Sequence, residues 1–321
     1  MSFPARVRIR EVAPRDGFQS IEHFLPTPTK LEIIQALAKS GIRDIEVTSF
    51  VSPKAIPQLS DGAELVGMVP RQGLVLSALV ANVVGAKNAL AAGVDELVVV
   101  ISATEEHNRA NLRRSIGESV AELDEIFSVA REKGVRVNGA IAVSFGCPYR
   151  GEVSETEVFR LAEAYASRGA IRVIMADTTG MAVPPQVAEM VRRFQTEFPG
   201  LELGLHLHNN RGTAMTNLYV GLLSGVCTFD TALGGIGGCP YVPRAAGNLA
   251  TEDVVYMLEQ LGVETGIDLM TAIRAALVME KILGYQLPGQ VMKSGPRNPK
   301  AAAALTGSGP CSGRLLKNSF S

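Results

Sequence analysis

The chain has 321 residues, 46% of them hydrophobic and 20% charged, with a formal net charge of −1. That is enough chain for a full globular core in one large domain or two small ones, and the near-neutral mixture of signs excludes the basic footprint of a nucleic-acid binder. No apolar run reaches the length of a membrane-spanning helix, so no membrane partner is expected.

In chain order, short β-branched runs alternate with longer amphipathic stretches. Strands are predicted at 7–12, 44–49, 74–80, 96–101, 136–143, 172–176, 202–208 and 228–233. Helical patterns fall near 29–40, 82–92, 115–133, 154–168, 184–198 and 212–224. Ser154-x-x-Glu157 reads as a capping box, and Pro184-Pro185 opens the next helix. Alternation of this kind fits a doubly wound sheet or a (β/α)8 TIM barrel, and the count of eight strands selects the barrel, an α/β fold that takes about 250 residues. From about Gly262 the pattern changes to a helix over 268–283 and then a Gly/Pro/Ser-rich tail. Residues 1–262 are therefore read as the catalytic barrel and 263–321 as a C-terminal helical extension packed on it. The tail from Ser294 is either partly disordered or used in subunit contacts.

A first strand beginning near Val7 leaves no room for a signal or transit peptide, and the terminal Lys317-Asn-Ser-Phe-Ser321 is not a peroxisomal address. Four cysteines at 147, 227, 239 and 311, widely spaced and without a CxxC pair, make no disulfide framework. The expected compartment is the reducing cytosol.

Barrel enzymes carry their chemistry at the C-terminal ends of the strands. Asp16 follows the first strand, Glu46 lies in the second, Asp177 ends the sixth, and His206 and His208 end the seventh. After the eighth comes Gly234-Gly-Ile-Gly-Gly-Cys239, with Asn248 nine residues further on. His206 and His208 share one strand face because side chains alternate with period two, so two imidazoles converge. They read either as metal ligands or as satisfied interior histidines. With Asp16 and Asn248 they offer a mixed oxygen and nitrogen set that favours Mg²⁺ or Mn²⁺ over zinc. Arg15-Asp16 reads as an oxyanion stabiliser beside a ligand or as a surface ion pair, and Glu46 is expected to pair with Arg15. Asp177 is open between a catalytic carboxylate and a turn or N-cap residue. Cys239 is open between a reactive thiol and a small residue in a tight turn. Cys147, in Phe145-Gly-Cys-Pro-Tyr149, is a weaker candidate, Cys227 reads as core and Cys311 as a surface thiol. Glu105, His107, Asn108 and Asn111 read as a solvated loop, and Lys54, Arg109 and Arg113 as solvated charges or partners of a phosphate.

Four segments resemble the 3-hydroxy-3-methylglutaryl-CoA lyase family, which belongs to the metal-dependent TIM-barrel lyases and Claisen-type synthases. They are Glu11-Val-Ala-Pro-Arg-Asp-Gly-Phe-Gln19, Glu46-Val-Thr-Ser-Phe-Val-Ser-Pro-Lys54, Phe145-Gly-Cys-Pro-Tyr149 and the stretch from Gly234 to Asp253. The resemblance runs in order over about residues 6–270, and the cysteine loop is its most specific part. It implies cleavage of a tertiary 3-hydroxyacyl-CoA to acetyl-CoA and a keto acid, acetoacetate in the named case. It also implies an acyl-CoA partner and assembly as a homo-oligomer, a dimer or tetramer. Carried over, Asp16, His206, His208 and Asn248 would hold a divalent cation that chelates the substrate hydroxyl and an acyl oxygen. Arg15 would stabilise the enolate oxygen with Glu46 orienting it, and Gln19 and Arg15 would contact substrate. Asp177 and His206 would assist removal of the hydroxyl proton, and Cys239 would transfer a proton near the nascent carbanion.

Two departures stand out. Where the family lyase continues Asp-Thr-Tyr-Gly after the second histidine, this chain has Asn209-Asn210-Arg211-Gly212, and Arg244 stands in the cysteine loop where small or amide residues are common. These changes bear on the acyl group, so a variant lyase acting on another 3-hydroxyacyl-CoA, such as a citramalyl thioester, is a competing expectation. A Claisen-type synthase joining acetyl-CoA to a 2-keto acid is another, on the strength of His206-x-His208-Asn209. A barrel that binds CoA esters without catalysis is the third.

Overall fold

A parallel strand buried on both faces reads as a continuous apolar run. The run Leu97-Val-Val-Val-Ile101 does so, and every residue of its strand, β4 (Glu96–Ser102), is buried. The computed structural model describes residues 3–238 and 247–298. Its other strands are β1 (Arg8–Glu11), β2 (Asp44–Ser49), β3 (Val75–Val80), β5 (Arg136–Ala142), β6 (Arg172–Asp177), β7 (Glu202–Leu207) and β8 (Thr228–Thr231). They form one closed parallel barrel in sequence order, with β8 paired back onto β1. The fold is the (β/α)8 barrel expected from the alternation.

The surrounding helices are α1 (Thr27–Lys39), α2 (Gly62–Met68), α3 (Val83–Ala92), α4 (Glu105–Leu112), α5 (Ile116–Ala121), α6 (Leu123–Glu132), α7 (Glu155–Ala166), α8 (Pro184–Glu197), α9 (Ala214–Leu223) and α10 (Thr251–Gln260). Beyond them, α11 (Leu269–Leu283) packs on α1 and α10, and the short α12 (Val291–Ser294) follows. The segment before α11 is tied to the chain start, with Val7 N–H donating to Glu264 O at 2.9 Å.

Local chemistry explains where the helices depart from expectation. The helix predicted over 115–133 is two, meeting at Glu122, whose carboxylate accepts the Val83 N–H at 3.0 Å and pairs with Arg114 at 2.8 Å. Residues 105–111 are a helix and not a solvated loop: Thr104 caps α4, and His107 and Asn108 are buried beneath it. The capping box forms at Ser115 and Glu118; at Ser154 no side-chain cap forms, and the Glu157 carboxylate pairs with Arg160 at 3.0 Å instead. Cys227 is exposed instead of core, since it precedes β8 at the N-terminal mouth of the barrel.

Two features position the rim. Arg10 and Arg172 are among the largest fully buried side chains, so the barrel interior carries charge as well as Val, Ile and Leu. Arg172 donates to Asn138 at 3.3 Å and to Glu202 at 3.2 Å, and Asn138 donates to Glu96 at 2.7 Å. At the β1–β8 seam, Glu11 accepts the backbone N–H groups of Ala13 and Leu233, both at 2.9 Å, and the Thr251 hydroxyl at 2.7 Å.

On the outer face of β5, Gly139 has no side chain because the Tyr165 ring of α7 lies where a Cβ would be. The same tyrosine donates its hydroxyl to Val99 O at 2.9 Å, which pins α7 across two strands. Gly139→Ala is therefore expected to destabilise by about 1–3 kcal/mol through overpacking, read as a lowered midpoint in thermal denaturation. An unchanged midpoint would mean that α7 moves away without loss.

A candidate metal centre at the barrel rim

The first strand ends in a five-residue π-helical turn, Ala13–Gly17, opened by Pro14 and wholly buried. Such turns are uncommon and gather at functional sites. This one carries Arg15 and Asp16 inward over the barrel mouth. Two strands round the barrel, beyond β8, the end of β7 brings His206 and His208 to the same face, and their Nε2 atoms lie 3.0 Å apart. Asp16 Oδ2 sits 3.5 Å from His208 Nε2 and 3.9 Å from His206 Nε2. These three residues are buried, and their ligand atoms lie within 4.8 Å of one another.

Asn248 completes the group. Its Nδ2 donates to Asp16 Oδ2 at 2.7 Å and to Ile236 O at 3.1 Å, while its Oδ1 is buried with no partner among the described residues. A buried acceptor left without a hydrogen bond is costly unless something positive satisfies it. The donor set fits a hard divalent cation with positions left for substrate oxygens.

Charge is balanced around this point. Arg15 pairs through Nε with Glu46 and through Nη1 with Asp16, leaving Nη2 uncommitted among the described residues. The expected Arg15–Glu46 pair is thus present. Burial opposes ionisation of Asp16, but the Arg15 guanidinium and the two imidazoles outweigh it and hold the carboxyl well below its usual range. Burial lowers both histidines, yet Asp230 and Asp16 leave His206 raised, whereas His208 beside it ends lowered. Gln19 donates to Asp16 Oδ1 at 2.9 Å.

Asp177 ends β6 with its two oxygens in different situations. Oδ1 accepts the Met181 and Ala182 N–H groups at 2.7 and 3.1 Å, while Oδ2 is buried with no partner among the described residues. Burial pushes its pKa up to about 6 against those two hydrogen bonds. The turn role and an available basic oxygen therefore coexist in one residue. Nearby, β5 runs out at Val143 with φ of 53°, a conformation that a β-branched residue adopts only when its surroundings impose it.

Other positions read from the sequence fall elsewhere. Arg211 donates to the carbonyl oxygens of Thr179 and Gly180 at 2.7 and 3.1 Å, so it braces the loop after β6. Asn209 N–H donates to Gly247 O at 2.7 Å, and Asn210 Oδ1 accepts the Gly247 N–H at 3.3 Å. Lys54, Arg109 and Arg113 are exposed, and Cys147 is buried with its thiol 3.1 Å from the Thr104 hydroxyl. Cys239, Arg244 and Cys311 lie outside the described residues.

Sequence reasoning missed Arg10, Asp230, Glu11 and Glu252. Asp230 lies 3.2 Å from His206 Nδ1 and receives Arg10 Nη1 at 2.7 Å. Arg10, Glu11 and Asp230 are charges inside strands and Glu252 lies in the first turn of α10, and what marks all four is burial, which the sequence does not print.

The HMGL-like family profile matches residues 6–278. The chain belongs to the HMGL-like family. Among its relatives, a hydroxymethylglutaryl-CoA lyase from Bacillus subtilis is 40% identical over 92% of this chain and 100% of its own length. An (R)-citramalyl-CoA lyase from Chloroflexus aurantiacus is also 40% identical, over 92% of this chain and 97% of its own. An HMG-CoA lyase structure from Acinetobacter baumannii, in complex with coenzyme A and 3-methylmalate, aligns with a TM-score of 0.89 at 40% identity, covering 93% of this chain and 98% of that one. As an HMGL-like protein the chain is an enzyme, a carbon–carbon lyase. Among the described residues no helix is long and apolar enough to cross a membrane.

Glu252 gives a pH-dependent handle on the glycine-rich segment above the site. It accepts the Gly234 N–H at 3.0 Å, and its second oxygen is buried with no partner among the described residues. Burial raises its pKa from the ordinary 4.5 to about 8. Folding thus favours the protonated form, so its contribution is fully present below about pH 4.5 and is lost as pH rises through 8. Thermal melts from pH 6 to 9 are expected to show falling stability that Glu252→Gln flattens; parallel wild-type and variant curves would rule this out.

Proposed function

We propose that the protein cleaves 3-hydroxy-3-methylglutaryl-CoA to acetyl-CoA and acetoacetate with Mg²⁺ or Mn²⁺ bound by Asp16, His206, His208 and Asn248. The observation that carries this reading is the convergence of those four side chains beside an arginine at the C-terminal rim. A bound cation would supply Lewis acidity, making the substrate hydroxyl easier to deprotonate.

The remaining steps fall to the chain's own residues. The hydroxyl proton passes to a base as the carbonyl forms and the carbon–carbon bond breaks. Asp177 Oδ2 and His206 are the two bases within this reading. His206 presents only Nε2, since Nδ1 faces Asp230, and that same nitrogen is wanted as a ligand. Asp177, with one oxygen held by backbone N–H groups and a pKa near 6, therefore takes the proton. The electron pair of the broken bond moves onto the acetyl thioester as an enolate, whose oxygen meets the Arg15 guanidinium that Glu46 holds in orientation. Gln19, fixed on Asp16, contacts substrate. Cys239 returns a proton to the enolate carbon. Water must be kept from that carbanion, and the glycine-rich segment after β8 is where cover would come from.

The same reading takes residues 1–262 as the catalytic unit with 263–321 as its extension, a homo-oligomer as the working form and the cytosol as its compartment. A second substrate has specific support. The citramalyl-CoA lyase relative is as similar as the hydroxymethylglutaryl-CoA lyase, and Asn209-Asn210-Arg211 departs from the usual lyase sequence.

Both substrates are tested together. Metal-loaded protein is incubated with each thioester and products are identified by mass spectrometry. Acetoacetate and acetyl-CoA, abolished by chelator, are expected from the methylglutaryl thioester. Product only from citramalyl-CoA would transfer the assignment to that substrate. Arg15→Gln should lower kcat by about 10²–10³-fold with CoA binding retained, because it acts on charge that develops in the transition state. Cys239→Ser should lower activity with metal content unchanged.

A further inference from the structure

Arg15, Asp16, Glu46 and His206 have direct parts in the proposed reaction, whereas Asp230 enters only as the neighbour of His206 Nδ1, and Arg10, which lies between them, has no part. Arg10 is 1% exposed. Its Nη1 donates to Asp230 Oδ1 at 2.7 Å and its Nη2 to Glu46 Oε2 at 3.2 Å. The other oxygen of Glu46 receives Arg15, and Arg15 also reaches Asp16. The other oxygen of Asp230 faces His206 Nδ1 at 3.2 Å. Followed end to end, Asp16, Arg15, Glu46, Arg10, Asp230 and His206 form one unbroken chain of charge pairs. Its two ends are both proposed cation ligands, and their donor atoms face each other at 3.9 Å.

We infer that Arg10 and Asp230 are positioning residues of the cation site, the segment that closes this chain into a ring and fixes His206 relative to Asp16 and Arg15. The inference rests on the metal-dependent reading of the site. Asp230 accepting at Nδ1 puts the histidine hydrogen on that nitrogen and turns the Nε2 lone pair to the centre. Among the described residues His208 has no such brace, its Nδ1 being buried without a partner. The ring contains two guanidinium cations and three carboxylates, a net charge of −1 that suits a divalent cation. Burial of charge pairs is weak evidence for a stabilising role, because desolvation offsets attraction. A pairing that reaches a ligand from behind, by contrast, controls its orientation. The guanidinium is required for its shape: two N–H groups point at two carboxylates on different strands, which a single ammonium cannot span in the same way.

Mn²⁺ binding to the full chain is measured by isothermal titration calorimetry for wild type, Asp230→Asn and Arg10→Lys, with near-ultraviolet circular dichroism reporting packing. Asp230→Asn is expected to weaken Mn²⁺ binding by about 10–100-fold. Arg10→Lys, which touches none of the proposed ligands, is expected to weaken it by about 10-fold, within the range of such outer-sphere changes. Both should lower kcat with KM changed little. A folded Arg10→Lys variant with wild-type Mn²⁺ affinity and kcat overturns the inference. Failure of both variants to fold also overturns it, since the pair would then serve the fold and not the site. Wild-type protein that binds Mn²⁺ yet turns over no thioester removes the lyase reading while leaving the affinity comparison to decide the ring.

Discussion

A guanidinium removed from water must find its counter-charges inside the protein, and Arg10 finds two, one on each neighbouring strand. Register brings them there: Arg10 lies opposite Asp230 in the β1–β8 ladder, and Glu46 follows by two residues the Asp44 that pairs with it across β1 and β2. A one-residue slip of either strand would turn its charge to the outer face. The polar interior thereby specifies the register that the apolar residues, buried on both faces of a parallel sheet, specify weakly. Everything at the rim stands on that register, since Arg15, Asp16 and His206 lie within a few residues of it.

The barrel was legible because its signal is repeated. Eight β-branched runs separated by helical patterns state the architecture several times over, and an error in one boundary changes nothing. The rim residues were legible for a different reason, as each lies at a strand end where the fold exposes a side chain to the mouth. Arg10 and Asp230 were not, because a charge within a strand is read as a solvent-facing position unless its partners are known, and those partners lie 36 and 220 positions away. The α4 helix was hidden by composition. Glu105, His107, Asn108 and Asn111 look like loop chemistry, but Thr104 caps the helix, Asn108 accepts the Ser102 N–H, and His107 reaches the Ser102 hydroxyl.

The Asn209–Arg211 segment shows how a substitution close to a site need not enter it. Arg211 spends its hydrogen bonds on carbonyl oxygens of the loop after β6, and the two asparagines meet the backbone of Gly247, which precedes Asn248. This segment therefore links the loop after Asp177, the proposed base, to Asn248, the proposed oxygen ligand. Its influence on the acyl group would run through the spacing of those two loops.

Glu11 joins parts of the chain that are synthesised far apart. Its partners Leu233 and Thr251 lie 222 and 240 positions downstream. A ribosome must deliver nearly the whole barrel before the first strand can meet the last, and the entropy of closing so long a loop falls due before the seam returns any bonds. Until then Asp16 and Asn248, on opposite sides of that seam, have no means of meeting. A nascent chain or a truncated fragment thus lacks the assembled rim, which comes into being only as the cylinder shuts.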